Sequence, residues 1–342
     1  MDDLIWRVND YPQAVVDAVV YNIPEHVILN EKSTFCDPGM GGGQFLRGIF
    51  DRCIAAGQKK EQILPRLYGV ERSYFYLNYA KWKNNLGGAN MAHCLNIEEW
   101  EPQMKFDAVI GNPPYQGGDF GQKVYKSLWP KFWAKSFELV KDDGIVSLIT
   151  PLTWCSPTSD LAKRDAIEGE TRLWNVFQKF TSVADVTTIK DFFPGVGSTF
   201  SLVTVDKSGH EGLTFTNGYK PELGFYPLSG ADDVVNELSL TDNISSNFSW
   251  KDDGSAWRVS LVKSRKVCEI NVEVCERDQT PVSNLPASLY AYIYCPTRNQ
   301  AEYVKERILE CREILYKHCR YNGFIDLKVT GLISLDKSRI TE

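Results

Sequence analysis

The sequence predicts an α/β protein in which a doubly wound, mostly parallel sheet is followed by a smaller C-terminal α+β domain. Short apolar strands alternate with helix-like segments over about the first 185 residues, as in parallel sheets whose strands are joined by helices. A glycine-rich turn separates an early strand from a helix, which is typical of Rossmann-like folds. After about residue 209, clusters of Gly, Pro, Asn and Ser separate short alternating strands. We therefore predict one domain over residues 1–210 and a second over residues 211–342.

The strands of the predicted sheet are apolar runs that end at a polar residue or a glycine, and the helices have apolar positions three and four residues apart. Two strands after residue 180 are expected to close the sheet, and the C-terminal domain contains shorter strands and one long helix. The predicted strands are 33–35, 67–70, 106–110, 144–150, 183–189, 199–207, 256–262 and 288–295, and the predicted helices are 13–22, 44–57, 73–85, 123–140 and 298–320.

Composition excludes several classes of protein. The chain has 342 residues, of which 43% are apolar and 24% charged, which is ordinary for a globular protein and argues against disorder or a coiled coil. No apolar run approaches the roughly 18 residues of a membrane helix, and the acidic residues 1–10 lack a signal-peptide apolar region. Nine cysteines without a C-x-x-C pair argue against a zinc cluster and a complete disulfide framework. We expect a reducing, cytoplasmic compartment, no metal and no membrane partner.

The strongest chemical signal is the tetrapeptide Asn112–Tyr115, which directly follows the strand predicted at 106–110 and Gly111. Ligands of such sheets bind at the carboxyl ends of the strands. The Asn112 amide and the Pro113 carbonyl are hydrogen-bond acceptors, the second held rigidly, and Tyr115 offers an aromatic face. Together they form a receptor for a planar ring that carries an NH₂ group. Accepting both N–H bonds exposes the nitrogen lone pair, which can attack an electrophilic methyl group without a strongly basic side chain.

A glycine-rich loop lies within residues 35–45, between a strand and a helix. Glycines there let the backbone approach a ligand closely, but many nucleotide-binding folds share this feature. The loop lacks the Gly-Lys-Ser/Thr ending of a phosphate loop and contains Asp37, so an amino or sulfonium group suits it better than a phosphate. Glu71 ends the next strand, where a carboxylate can accept both hydroxyls of a ribose. Taken alone, Glu71 is equally compatible with a solvated charge.

Together these residues resemble the S-adenosylmethionine-dependent DNA adenine N-6 methyltransferases, in the arrangement with cofactor motif first, catalytic motif next and recognition region last. The resemblance covers roughly residues 10–206 and implies that Tyr115 stacks on an adenine turned out of the duplex. The residues that it assigns to the cofactor are Tyr11, Pro12, Phe35, Asp37, Pro38, Gly39, Gly41, Gly43, Glu71, Asn96 and Asn112. It assigns catalysis to Asn112, Pro113 and Tyr115, and contact with the target base to Pro114, Tyr115 and Phe193.

Two assignments stay open at the level of sequence. The family usually has an Asp before the catalytic strand that binds the adenine amino group of the cofactor, whereas residues 92–100 of this chain read AHCLNIEEW. Either His93 or Asn96 can replace that acid, and the register is not fixed. The alternative interpretation of Phe193, somewhat less favoured, is a core residue that precedes a loop.

A base paired inside DNA must leave the duplex to reach such a pocket, and aromatic stacking offsets part of the cost. Sequence reading would then fall to the region after about residue 210. Residues 251–342 carry 15 Lys+Arg and 13 Asp+Glu, a net charge of +2 within a chain of net charge −6, which suits a DNA contact and a solvated surface equally. Candidates for contacts to base edges or phosphates, each individually more typical of an ordinary surface, are Arg258, Lys263, Arg265, Lys266, Arg298, Asn299 and Gln300.

The same tetrapeptide also serves glutamine amides and RNA bases in related enzymes, so a protein-glutamine or rRNA N-methyltransferase is the alternative. Glutamine enzymes usually carry a helical domain before the cofactor loop, whereas here about 34 residues precede it and about 130 follow the catalytic half. That layout favours a DNA-recognition domain. Cytosine N-4 enzymes typically have Ser in place of Asn112, and the intact motifs disfavour a degenerate, non-catalytic module.

The resemblance also implies the setting in which the protein works. We expect double-stranded DNA as partner, a bacterial or phage-infected host cytoplasm, and a monomer. A cognate restriction endonuclease, if there is one, would be a separate chain, because no nuclease motif stands in a convincing context in this sequence.

Overall fold

A computed structural model of the chain describes residues 12–117, 126–156, 161–186, 200–216, 237–239, 241–263, 270–279, 289–318, 320–321, 324–325 and 327–340. The chain divides into two compact units. The first comprises Met1–Leu152 and Asp160–Lys220, and the second comprises Thr153–Ser159 and Pro221–Glu342. The boundary predicted between residues 210 and 211 stays a prediction.

The first unit is organised around a central sheet. Its described strands are β1 (Phe35–Asp37), β2 (Leu67–Glu71), β3 (Asn90–His93), β4 (Phe106–Gly111), β5 (Gln116–Gly117), β6 (Lys126–Ser127), β7 (Val140–Pro151), β8 (Thr181–Asp185), β9 (Phe200–Asp206) and β10 (Leu213–Phe215). The short strands β5 and β6 pair only with each other, and the other eight form one sheet in the order β10-β8-β9-β7-β4-β1-β2-β3. The pairings are parallel except that β9 runs antiparallel to both β7 and β8.

Helices connect these strands, as expected for parallel neighbours. The described helices of the first unit are α1 (Gln13–Tyr21), α2 (Glu25–Leu29), α3 (Gln44–Ala55), α4 (Lys60–Ile63), α5 (Tyr74–Trp82), α6 (Trp129–Leu139) and α7 (Leu173–Lys179). Helix α3 starts directly after the glycine loop, with Gly43 as its N-cap in the left-handed region. The loop that follows β1 is thereby held between a strand and a helix.

The core of this unit is continuous from α1 through α3 to the sheet. Val16 and Val20 of α1 are buried against Gly48 of α3, where a Cβ atom would lie 2.7 Å from Val16 Cγ1. Phe35, Ala108 and Ile145, from three adjacent strands, belong to the same buried cluster. Burial on both faces explains why these strands read as unbroken apolar runs.

The second unit is an α+β arrangement. Strands β11 (Trp257–Lys263), β12 (Ile270–Glu276) and β13 (Tyr290–Cys295) form an antiparallel sheet in the order β12-β11-β13. Its described helices are the short α8 (Ile244–Asn247) and the long α9 (Arg298–His318), and α9 contacts all three strands. Strands β14 (Arg320–Tyr321) and β15 (Phe324–Ile325) form a separate pair.

The predicted fold class is confirmed, with differences in detail. The sequence did not indicate the two edge strands β3 and β10. The two strands that were expected to close the sheet, β8 and β9, lie inside it, because β10 pairs with the outer side of β8. The helix predicted from residue 123 begins at Trp129, after β6. Among the residues described, no helix combines the length and apolar character needed to cross a membrane.

Candidate active site

The residues singled out by sequence follow three adjacent strands. Asp37 ends β1, Glu71 ends β2, and Asn112 comes directly after β4, with β1 paired to both of the other strands. The carboxyl ends of parallel strands lie at one edge of a sheet, so the three side chains reach the same edge.

Asp37 is enclosed between the glycine loop and the end of β4. Its side chain is 1% exposed, and its Oδ1 atom accepts a hydrogen bond of 3.0 Å from the Gly39 N–H. A Cβ atom on Gly111, whose φ is +153°, would lie only 2.7 Å from that Oδ1 atom. Glycine at position 111 therefore allows the carboxyl group to lie against the strand end.

The second oxygen of Asp37 has an unusual environment. Its Oδ2 atom is buried and makes no hydrogen bond with the described residues. Burial raises the pKa of the Asp37 carboxyl to about 8, the Gly39 N–H opposes this, and the neighbouring charge of Glu71 adds to it. Without a ligand, Asp37 is therefore mostly protonated at neutral pH. A cation nearby would favour its ionised form.

The glycine loop passes close to the tetrapeptide, with room between them for little more than one methyl group at position 39. A Cβ atom on Gly39 would lie 3.4 Å from Pro114 Cδ, 3.6 Å from Pro113 Cα and 3.2 Å from Phe132 on α6. A Cβ atom at position 39 would be tight against Phe132 and in ordinary van der Waals contact with the two prolines. The two sequence motifs therefore form one continuous surface.

Glu71 is tied to the glycine loop by its backbone. Its Oε2 atom accepts a hydrogen bond of 3.0 Å from the Gly41 N–H, and its Oε1 atom accepts one of 2.8 Å from the Ser73 N–H. Burial raises the pKa of the Glu71 carboxyl, and these backbone N–H groups oppose the rise. Each carboxylate oxygen has a second lone pair, so both can still accept a hydrogen bond from a ligand hydroxyl.

A pocket of about 310 Å³ opens beside these residues. Five of the predicted cofactor residues line it, namely Pro38, Gly39, Glu71, Asn96 and Asn112, together with Pro114, which was predicted to contact the base. The other lining residues were not predicted, and they are Val70, Arg72, Cys94, Leu95, Ile97, Glu98, Leu128, Lys131 and Phe132. Most of them follow β2 or β3 or lie at the start of α6, which only the assembled sheet brings together.

The structure separates the two candidates for the missing acid. Asn96 lines the pocket and caps the short 3-10 helix Ile97–Glu99, where its Oδ1 atom accepts a hydrogen bond of 3.3 Å from the Glu98 N–H. His93 is not among the lining residues. Its ring stacks on Tyr74 at a centroid distance of 3.8 Å, and its Nε2 atom lies 2.9 Å from the Arg72 carbonyl. Of the two residues, Asn96 is therefore the one placed to meet a ligand.

The tetrapeptide brings its polar and aromatic groups together. The Tyr115 hydroxyl donates a hydrogen bond to Asn112 Oδ1. Pro113 is buried, whereas Pro114 is exposed. The Tyr115 ring stacks on Phe200, the first residue of β9, with ring centroids 5.0 Å apart and planes inclined by 30°.

The remaining predicted site residues have different positions. Phe35 is fully buried in the core, and Pro12 is the exposed N-cap of α1. Gly41 and Gly43 have positive φ angles of 51° and 81°. These four residues and Asp37 do not line the pocket. Tyr11 and Phe193 lie outside the described residues.

The candidate DNA-contacting side chains of the second unit differ in how far they are exposed. Arg258 is 7% exposed, and its guanidinium donates to the Gln279 carbonyl and lies 4.3 Å from the centroid of the Tyr292 ring. Those contacts hold Arg258 within its own sheet. Arg298 and Asn299 are exposed at the start of α9, and the Arg298 guanidinium lies over the Trp257 ring. The Gln300 side chain donates a hydrogen bond of 2.6 Å to the Ile340 carbonyl. Lys263 ends β11, whereas Arg265 and Lys266 lie outside the described residues.

The described side chains provide no metal site. They contain no group of three or more His, Cys, Asp or Glu residues in which a metal ion could be held.

Comparison with protein families gives a match over part of the first unit. Residues 63–180 match the model of the Eco57I restriction-modification methylase family, a stretch that includes Glu71, Asn96 and Asn112–Tyr115. The match covers about a third of the chain.

Several solved structures that are similar to this chain come from restriction-modification systems. A nuclease-deletion mutant of the Type ISP enzyme LlaGI, solved with a DNA substrate mimic, gives a TM-score of 0.50 at 12% identity over 76% of this chain and 30% of that chain. A type I methyltransferase subunit from Streptococcus thermophilus gives 0.43 at 18% identity over 60% and 46% of the two chains. The EcoKI M protein gives 0.43 at 12% identity over 81% and 64%. The chain therefore spans less than two thirds of each of these proteins, and the likeness to LlaGI shows a shared fold.

Proposed function

We propose that this protein is a DNA methyltransferase that transfers a methyl group from S-adenosylmethionine to the N6 amino group of an adenine turned out of double-stranded DNA. The observation that carries the proposal is the close approach of the glycine loop to the tetrapeptide. A Cβ atom on Gly39 would reach van der Waals distance of Pro113 and Pro114, and Gly39, Asn112 and Pro114 line one pocket, so the glycine loop and the tetrapeptide are adjacent. A methyl donor and an amino group bound at these two places would be neighbours.

The residues of the pocket fit S-adenosylmethionine. A volume of about 310 Å³ is at the lower end for sites of small ligands. The Glu71 carboxylate suits the ribose hydroxyls, Leu95 and Ile97 give apolar contact for a planar ring, and Asn96 Oδ1 can accept from its amino group. The unpartnered, buried Oδ2 atom of Asp37 lies beside the loop, where a positively charged ligand would stabilise the ionised carboxylate.

Catalysis in this proposal consists of positioning and hydrogen bonding. When bound, the cofactor supplies an electrophilic methyl group on a sulfonium. Asn112 Oδ1 and the Pro113 carbonyl oxygen accept the two N–H bonds of the adenine amino group and direct its lone pair along the line of attack. These hydrogen bonds strengthen as positive charge develops on nitrogen, so they stabilise the transition state more than the bound base. With the cofactor bound, the nitrogen held by Asn112 and Pro113 would take the methyl group as the methyl–sulfur bond breaks, and one amino proton would then pass to solvent.

Base binding is assigned to Pro114, Tyr115 and Phe193. Tyr115 supplies the stacking surface that offsets the cost of extruding the base, which is a few kcal/mol. Recognition of the surrounding sequence is assigned to the second unit, with Arg298 and Asn299 as the exposed candidates. Arg258 is a weaker candidate than its sequence suggested, because its guanidinium is already bonded inside the sheet. We further propose a cytoplasmic, monomeric enzyme and, where a cognate nuclease exists, a separate nuclease chain.

Transfer of tritium from labelled cofactor tests the substrate class. The purified chain is incubated with unmethylated duplex DNA, with RNA and with release-factor protein, and labelled nucleosides are identified after digestion. Label in DNA recovered as N6-methyladenine is the expected result. Label only in RNA or protein would refute the proposal and favour the alternative enzyme class, and label on cytosine would refute the choice of base.

Substitution of the proposed acceptor tests the mechanism. Asn112→Ala is expected to lower kcat by about 100-fold or more, the usual effect of losing one preorganised hydrogen bond to developing charge. Cofactor binding, followed by calorimetry, should persist because the other lining residues remain. Asn78→Ala, at an exposed position of α5, is the matched control and should retain full activity. Near-normal turnover of Asn112→Ala would exclude the acceptor role.

A further inference from the structure

The direction of β9 brings a buried aromatic ring to the active-site edge. Because β9 runs antiparallel to β7, its first residue lies at the edge where the parallel strands end. Phe200 is paired with Pro151, the last residue of β7, and is 3% exposed. The resemblance to a known family assigns base contact to Phe193. Neither that resemblance nor the strand pattern gives Phe200 a role at the site.

Phe200 contacts the tetrapeptide through Tyr115. The two rings stack with centroids 5.0 Å apart and planes inclined by 30°, and Phe200 belongs to the core cluster against which Tyr115 packs. The Tyr115 hydroxyl is tied at its other end to Asn112 Oδ1. Tyr115 is thus held at its ring by the core and at its hydroxyl by the proposed catalytic amide.

We propose that Phe200 is a positioning residue that fixes the ring plane of Tyr115 for stacking on the extruded adenine. The proposal rests on the proposed function, which assigns the stacking role to Tyr115. A Tyr side chain has two main torsions, and a ring held in one orientation by a buried neighbour loses little further freedom when a base stacks on it. Phe200 itself touches neither base nor cofactor in this role.

Replacement of Phe200 by leucine removes the aromatic contact with Tyr115 and leaves the orientation of the Tyr115 ring less restricted. Such pairs stabilise their arrangement enough to change an equilibrium by roughly three- to tenfold. Phe200→Leu should therefore lower kcat/KM for DNA by that factor, mainly through a higher KM, and leave the Kd for the cofactor unchanged. Leucine keeps the position apolar, so the core remains filled in part.

A double-mutant cycle provides the test. Initial rates of tritium transfer to unmethylated plasmid DNA are measured for the wild type, Phe200→Leu, Tyr115→Ala and the double variant. If Phe200 acts through Tyr115, Phe200→Leu should have almost no further effect on kcat/KM in the Tyr115→Ala background. Phe177→Leu, a fully buried aromatic on α7 that packs on Trp133, is the matched control for core truncation. It should lower the Tm without raising the KM for DNA.

The possible failures are distinguishable. The same loss from Phe200→Leu in both backgrounds, or an equal rise in KM from Phe177→Leu, would overturn the positioning role and leave the proposed function intact. A normal KM for Phe200→Leu would overturn it as well. Wild-type label in RNA or protein would instead refute the proposed function, and the same cycle, run with the labelled substrate, would still decide whether Phe200 acts through Tyr115.

Discussion

Replacement of Asp37 by asparagine should make the protein more stable at alkaline pH while impairing its proposed function. The Asp37 carboxyl is 1% exposed, has one oxygen without a hydrogen-bond partner among the described residues, and has a pKa raised from 3.8 to about 8. A difference of about four pH units corresponds to an upper limit of about 6 kcal/mol of unfavourable free energy for the ionised form in the folded chain. About 4 kcal/mol of this falls between pH 5 and pH 8.5, because the unfolded chain has already lost most of this proton at pH 5.

Proton linkage determines the direction in which the stability of the folded chain changes with pH. Between about pH 4 and pH 8 the folded chain holds a proton on Asp37 that the unfolded chain has lost, so stability falls as pH rises through this window. Above pH 8 the loss is complete. The asparagine amide cannot ionise, so Asp37→Asn should unfold near the wild-type temperature at pH 5 and about 4–10 °C higher at pH 8.5.

Thermal unfolding at the two pH values, followed by circular dichroism, measures this difference. Asp143→Asn, at an exposed position of β7, is the control and should change little between them. A Tm difference between Asp37→Asn and wild type that is the same at pH 5 and pH 8.5 would refute the assignment of a buried, protonated carboxyl.

The affinity for the cofactor should change with pH in the direction opposite to the stability, and increase as the pH rises. A cationic ligand favours ionised Asp37, so the wild-type affinity for S-adenosylmethionine should rise by up to about tenfold from pH 7 to pH 8.5. Asp37→Asn should bind more weakly and without this dependence. Titration calorimetry at both pH values, with S-adenosylhomocysteine as the ligand that lacks the sulfonium charge, separates this effect from a general effect of pH.

Three further substitutions test other parts of the molecule. Glu71→Gln should weaken cofactor binding by about tenfold through the ribose contact, as measured by calorimetry, and unchanged affinity would exclude that contact. Gly111→Ala places a Cβ atom 2.7 Å from Asp37 Oδ1 in a backbone conformation with φ of +153°, so turnover should fall at least tenfold; wild-type kinetics would show that Asp37 moves freely. Gly48→Ala overpacks the contact with Val16 and should cost about 1–3 kcal/mol of stability in urea unfolding, and equal stability would contradict the close approach of α1 and α3.

The sequence by itself determined the main features of the sheet and three of its polar positions. Apolar runs that end shortly before Asp37, Glu71 and Gly111 were sufficient to place those residues at one edge, because parallel neighbours end together. The same reasoning located Asn112–Tyr115 beside the glycine loop. These inferences succeeded because each depends on local pattern and on one general rule of parallel sheets.

Only the tertiary structure decided the rest of the site. Asn96 lines the pocket and His93 does not because of how the chain turns after β3, an edge strand that the sequence pattern did not reveal. The contact of Phe200 with Tyr115 depends on the antiparallel direction of β9. The hydrogen bond from the Arg258 guanidinium to the Gln279 carbonyl depends on which strands lie beside β11. Such contacts join residues that are far apart in the chain, so they are determined by strand order and direction. The local periodicity of the sequence predicts neither of these.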